Sequence, residues 1–207
     1  MRYADFIDEL RRECLEAPFA TLESEARAAA IDFCLRSRVW TEERRVDVEP
    51  GEAQVRLRPS QEGRVDQVLK AAVIREGSSY ELKKVMDRNH FSDQQGDPRY
   101  WGEGRRGPNP VMNLWPVPDK PVTLELYVVL VPQRQSRSIP DHISEVWHDA
   151  IIHGALSRLL MQSNKPWTDP QKAAYLKQEF AVAVRDARQK SVSDNWTPMS
   201  INLRRWV

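Results

Sequence analysis

The sequence predicts an α+β fold: a four-helix bundle, two helices from each end of the chain, with a β-rich hairpin and loop insertion between them and an extended C-terminal tail. Three observations support this. Apolar residues recur at helical spacing before residue 40 and again after residue 139, they alternate at period two between residues 46 and 86, and the stretch after Ser191 keeps neither period. The implied division is a helical core of residues 1–40 and 133–190, a β-rich insertion of residues 41–132 with a Gly/Pro-rich loop, and a tail of residues 191–207. A chain of 207 residues, 41% hydrophobic and 29% charged, is long enough for one sizeable core.

The first helix is expected over residues 3–16, where Phe6, Ile7, Leu10 and Cys14 share a face and Pro18 ends the run. A second begins near Thr21 or Ser24 and reaches Val39, with Ile31, Cys34, Leu35 and Val39 as its stripe and Ala28, Ala29 and Ala30 permitting close packing. Val46 and Val48, then Val55 and Leu57, alternate around Glu49-Pro50-Gly51-Glu52 and read as a hairpin. A second strand pair is expected from residues 65–75 and 80–86. Between residues 92 and 120 glycine and proline dominate, so that stretch is expected to take its order from its neighbours. Residues 122–131 form the clearest strand, β-branched and aromatic between Pro121 and Pro132, and covered on both faces along part of their length.

Pro140 is expected at the first position of a third helix that carries Ile143, Val146, Trp147, Ala150, Ile151 and Gly154 to about Met161. Asp169-Pro170 is a cap followed by a first-turn proline. Ala173, Leu176, Phe180, Ala183, Val184 and Ala187 then make one stripe to about Lys190. The short loop forces these two helices antiparallel. Gly154 in mid-helix costs roughly 1 kcal/mol of propensity, which points to a close backbone approach. Trp167, held between Pro166 and Asp169, is expected to plug the end of the pair.

The charge balance, 31 basic against 30 acidic residues, leaves no global field toward nucleic acid or membrane. No secretory signal and no run of roughly 18 apolar residues is present, so the expectation is a soluble protein made in a cytoplasm. Cys14 and Cys34 fall at apolar helical positions and read as small buried hydrophobes. His142, His148 and His153 are not spaced as an i, i+4 pair, and with His90 they suggest no metal site. Asp87, Asp93, Asp97 and Glu103 have no fixed spacing and read as solvated loop charges. No nucleophile elbow, phosphate loop or dinucleotide fingerprint occurs, so neither catalytic residue nor cofactor is expected.

Ile139-Pro140-Asp141-His142, the run Trp147-His148-Asp149-Ala150-Ile151-Ile152-His153-Gly154-Ala155-Leu156-Ser157-Arg158-Leu159-Leu160, and Lys165-Pro166-Trp167-Thr168-Asp169-Pro170 occur in that order. This order resembles the C-terminal region of tailed-bacteriophage head-to-tail adaptor (connector, neck ring) proteins. A short acidic Phe6-Ile7-Asp8-Glu9-Leu10 segment and a strand ending at Pro132 stand where such proteins have them. The resemblance implies a non-enzymatic ring, usually of twelve copies, in the virion neck of a phage grown in a bacterial cytoplasm. It further implies partners in the portal protein and the next tail or neck protein, and non-specific contact with DNA in transit.

The tail carries Trp196, Leu203, Arg204, Arg205 and Trp206 without a helical or sheet stripe of its own, so these residues are candidates to anchor on the portal or a neighbouring copy. Trp101, Arg105 and Arg106 mark a candidate channel or partner loop. Trp147, Gly154, Trp167 and Phe180 are expected to build the helix pair. The alternatives are another neck or tail-completion subunit and, from a different class, a DNA-binding accessory protein.

Overall fold

The computed structural model describes residues 1–58, 63–75, 78–86, 94–106 and 109–194. A 3-10 turn, Tyr3–Phe6, leads into α1, Ile7–Glu13, and the buried face is Tyr3, Phe6, Ile7, Leu10 and Cys14. Pro18 caps α2, Phe19–Ser37, which ends with Arg38 in the left-handed region at φ 57°. The stripe on α2 is rotated from the expected one. Ala26, Ala29, Ala30, Phe33 and Cys34 face the core, Ile31 and Val39 are half-buried, and Leu35 faces solvent. Small residues win this face because they let a neighbouring helix approach, a gain that ranking by side-chain hydrophobicity misses.

The third expected helix is two. Trp147, at φ −120° and ψ 25°, separates α3, Asp141–Val146, from α4, His148–Leu160, and Val146 is exposed instead of completing the stripe. Pro140 caps α3 from outside. The final helix, α5, Pro170–Asp194, buries Ala173, Leu176, Phe180, Val184 and Ala187, as its pattern predicts. The Asp169 carboxylate accepts the Lys172 N–H at 3.0 Å, satisfying a first-turn donor.

Among the described residues, ten strands lie between the helical parts. The first sheet is antiparallel, ordered β1–β10–β3–β4, from Thr41–Val48, Val122–Pro132, Gly63–Arg75 and Ser78–Glu81. The second is ordered β2–β8–β7–β5, from Gln54–Arg56, Asn109–Trp115, Tyr100–Arg106 and Lys83–Lys84. Two short strands, β6 (Gln95–Gly96) and β9 (Val117–Pro118), pair in parallel. The expected hairpin around residues 49–52 does not form. The turn is present, with Gly51 at φ 83°, but β1 pairs with β10 and β2 with β8, so the chain turns out of one sheet into the other. The Gly/Pro-rich stretch contains a β7–β8 hairpin whose Trp101, Met112 and Leu114 are core residues. Its glycines obscured the pattern, since Gly102 and Gly104 occupy strand positions without a side chain that reports a face.

β10 is the central strand and alternates until Val128, after which residues to Pro132 are buried on both faces. Opposite its inward Leu124, Leu126, Val128 and Leu130 stand Val73, Ala71, Val68 and Val65 of β3. The spacing on β3 is wider than two because the register slips twice, once at Leu69 and once at Asp66. Each extra residue is taken up by a bulge, so Val65, Val68, Ala71 and Val73 all still point inward. Deleting Leu69 removes the first bulge and leaves Val68 opposite Val128 at ordinary spacing, so the inward set is kept and the expected loss is below about 1.5 kcal/mol. Truncating the buried Val68 to alanine is expected to cost more, about 1.5–3 kcal/mol, measured by urea unfolding. Leu69→Ala, at a half-buried position, costs less than about 1.5 kcal/mol.

Candidate functional site

The helical residues singled out from sequence converge where α2, α4 and α5 meet. A Cβ on Gly154 would lie 2.8 Å from two atoms of the Phe180 ring and 3.1 Å from the Ala29 methyl. Only hydrogen fits there, so the three helices approach as closely as their backbones allow. The Phe33 ring completes the contact, with centroids 6.1 Å from Phe180 and 5.5 Å from Trp147. Trp147 therefore stands at the α3–α4 break and packs onto α2. Trp167 packs partly against the core from the α4–α5 loop, and its indole N–H is buried without an acceptor among the described residues. That loop is shaped by Thr168, whose hydroxyl accepts from the Lys165 N–H at 3.0 Å and lies 2.6 Å from the Gln162 carbonyl oxygen.

Beside Gly154 the trio leaves an open cleft of about 220 Å³, floored by Ala29, Gly154 and Phe180 and rimmed by Arg36, Arg158 and Lys177. Arg36 lies over the Phe180 ring at 5.6 Å and ion-pairs with Asp32 at 3.5 Å, and Arg158 pairs with Glu25 at 2.8 Å. At the other end of α4, His148 Nε2 lies 3.0 Å from Glu9 Oε1, and its ring stacks on Phe6 at 4.8 Å. This ties α1 to α4, a role that histidine spacing alone could not show. His142 is exposed, His153 is half-buried, and His90 lies outside the described residues. Among the described residues no three His, Cys, Asp or Glu side chains gather as a metal site would require. Both cysteines are free and buried, and burial pushes the Cys34 thiol up to about 12, which makes it inert.

Trp101 does not lie on a loop. It is 1% exposed on β7, with the Lys84 ammonium 4.7 Å from its ring centroid. Arg105 and Arg106 follow at the end of the same strand, paired in backbone register with Pro110 and Asn109, and their side chains are outside those described. Sequence alone grouped the three by composition, whereas the strand puts the indole in the core and the arginines at the hairpin tip. Trp196, Leu203, Arg204, Arg205 and Trp206 lie outside the described residues. The end of α5 that leads to them is held to the end of α2, where the Ser191 hydroxyl donates to the Arg38 carbonyl at 2.9 Å. Among the described residues no helix is long and apolar enough to cross a membrane.

A tightly joined helix trio bearing two sheets, with open strand edges and a charged surface cleft, has the build of a structural assembly protein. The chain belongs to the SU10 adaptor protein family, matched over residues 1–203, and that family is one of phage head-to-tail adaptors. No curated protein matches the chain.

Gly154→Ala forces the Phe180 ring and the Ala29 methyl to move. Overpacking of this kind costs about 1–3 kcal/mol, offset in part by about 1 kcal/mol of helix propensity. The expected net result is a lower thermal midpoint, and pairing it with Phe180→Leu, which clears the ring, reduces the penalty contributed by the new methyl in a double-mutant cycle.

Proposed function

We propose that this adaptor is a non-enzymatic ring subunit of the virion neck, joining the portal to the next tail component and extending the DNA channel. The helix trio supplies a rigid body, and partner choice lies in the segments attached to it. The observation that carries this reading is the position of the tail. Its Trp196, Leu203, Arg204, Arg205 and Trp206 follow directly from α5, whose end is fixed at Arg38. Tryptophan and arginine are the residue types most often found as interface anchors. Family resemblance favours twelve copies, and Arg105 and Arg106 at the β7–β8 tip are the candidates to face DNA in passage or a partner.

Removal of residues 195–207 leaves every contact described above in place. The expected outcome is a protein with an unchanged melting transition that no longer joins portal-bearing heads. Electron microscopy of the full chain mixed with its portal should show a ring added below the portal, and bare portals would sink the proposal. The reading of a DNA-binding accessory protein makes a different prediction, since phosphate contacts give affinities that fall steeply with salt. With a net charge of +1, the free subunit is expected to show little affinity for duplex DNA and a shallow salt slope, measured by fluorescence anisotropy.

A further inference from the structure

We propose that residues 200–207 of one copy add as an antiparallel strand to the free edge of β1 in a neighbouring copy. The proposal rests on the ring-subunit reading above and names the surface that receives the tail. β1 is eight residues long and ends its sheet, paired by β10 on one side and by no described strand on the other. Leu130 N–H donates to the Trp40 carbonyl at 2.8 Å, and the two-residue alternation from that bond aims the backbone groups of Thr41, Glu43, Arg45 and Asp47 at the open edge. An edge of this length is a template for another strand unless its charges repel one.

Most of the charges on β1 are already answered. Arg45 pairs with Glu125 at 3.1 Å, Asp47 accepts from the Thr123 hydroxyl at 2.7 Å, and Arg44 reaches Glu42 and the Arg58 carbonyl. Glu43 is exposed and has no charge partner among the described residues. The edge is therefore left with an unanswered acid. Residues 195–207 contain no acid and carry Arg204 and Arg205. Set antiparallel with Arg204 opposite Glu43, the same register puts Arg205 opposite Glu42, Leu203 opposite the stem of Arg44 and Ile201 opposite Val46. Both arginines meet carboxylates and the aliphatic residues meet aliphatic groups, the pairings that stabilise adjacent strands.

The donor is assigned to another copy because of where the chain's own tail begins. The end of α5 is held at Arg38, beside the start of β1, so its own tail would have to run the length of the strand to Asp47 and fold back on itself to lie antiparallel in this register. A neighbour's tail can enter directly from the Asp47 end. A tail given to one neighbour and an edge offered to the other is a head-to-tail contact, the kind that closes into a ring.

The test uses Glu43→Cys copies mixed with Arg204→Cys copies, assembled on portal-bearing heads and then oxidised. Opposed residues of an antiparallel pair lie about 5.5 Å apart at Cα, within disulfide range. The expected product is a crosslinked species of twice the 24.0 kDa subunit mass, absent from either variant alone. Heads that have taken up both variants yet yield only single subunits overturn the proposal, as does an internal bond in a chain carrying both substitutions. A second arm uses charge. Glu43→Arg should lower the yield of neck-bearing heads at least tenfold, and adding Arg204→Glu to the same chain should restore it. Failure to restore counts against the pairing. Should the unaltered chain itself add no ring to its portal, the fault lies with the ring-subunit reading.

Discussion

The contact of Gly154 with Phe180 and Ala29 decides how the rest of the molecule is arranged. It fixes the spacing of α2, α4 and α5 where the three meet, and the peripheral parts attach to those helices. α2 carries the N-terminal segment and leads into β1, α4 anchors α1 through His148 and Glu9, and α5 delivers the tail. A larger residue at 154 could not be accommodated without moving an aromatic ring that is itself packed against Phe33. Interiors of this density transmit displacement instead of absorbing it.

Such a body suits an adaptor because load between two virion parts must pass through something that does not yield. Rigidity and recognition are then separable. The trio is built from alanine, glycine, leucine and phenylalanine, residues that pack well against one another and offer little to distinguish one partner from another. The groups that could distinguish partners sit elsewhere, on the charged rim of the cleft, at the tip of the β7–β8 hairpin, along the β1 edge and in the tail.

Much of this was legible in the residues. The stripe on α5, the cap at Asp169, the meaning of Gly154 and the strand between Pro121 and Pro132 follow from local pattern, because at each of them a single period or a single missing side chain carries the signal. The failures share a cause. Leu35 and Val146 looked like core because they are large and apolar, yet the neighbouring helices needed alanines and a break at Trp147 instead. The strands on either side of Gly51 looked like a hairpin because a turn joins them, but which strand each one pairs with is decided by residues far away in sequence. Trp101 read as part of a loop because glycines and arginines follow it, and only the register with Leu114 reveals that the indole faces inward. The open edge of β1 had no local signature at all. An edge is defined by the absence of a neighbour, which no window of sequence displays.

The pairing of β1 with β10 also has a consequence in time. Thr41–Val48 leaves the ribosome long before Val122–Pro132, and every partner bond that β1 makes within its sheet is to that later strand. Until β10 is synthesised the first strand has nothing to pair with, and loop closure over such a separation is slow compared with helix formation. The nascent chain must therefore hold a strand with both edges open. Its run of two glutamates and two arginines keeps that strand soluble while it waits, and the same residues later line the finished edge.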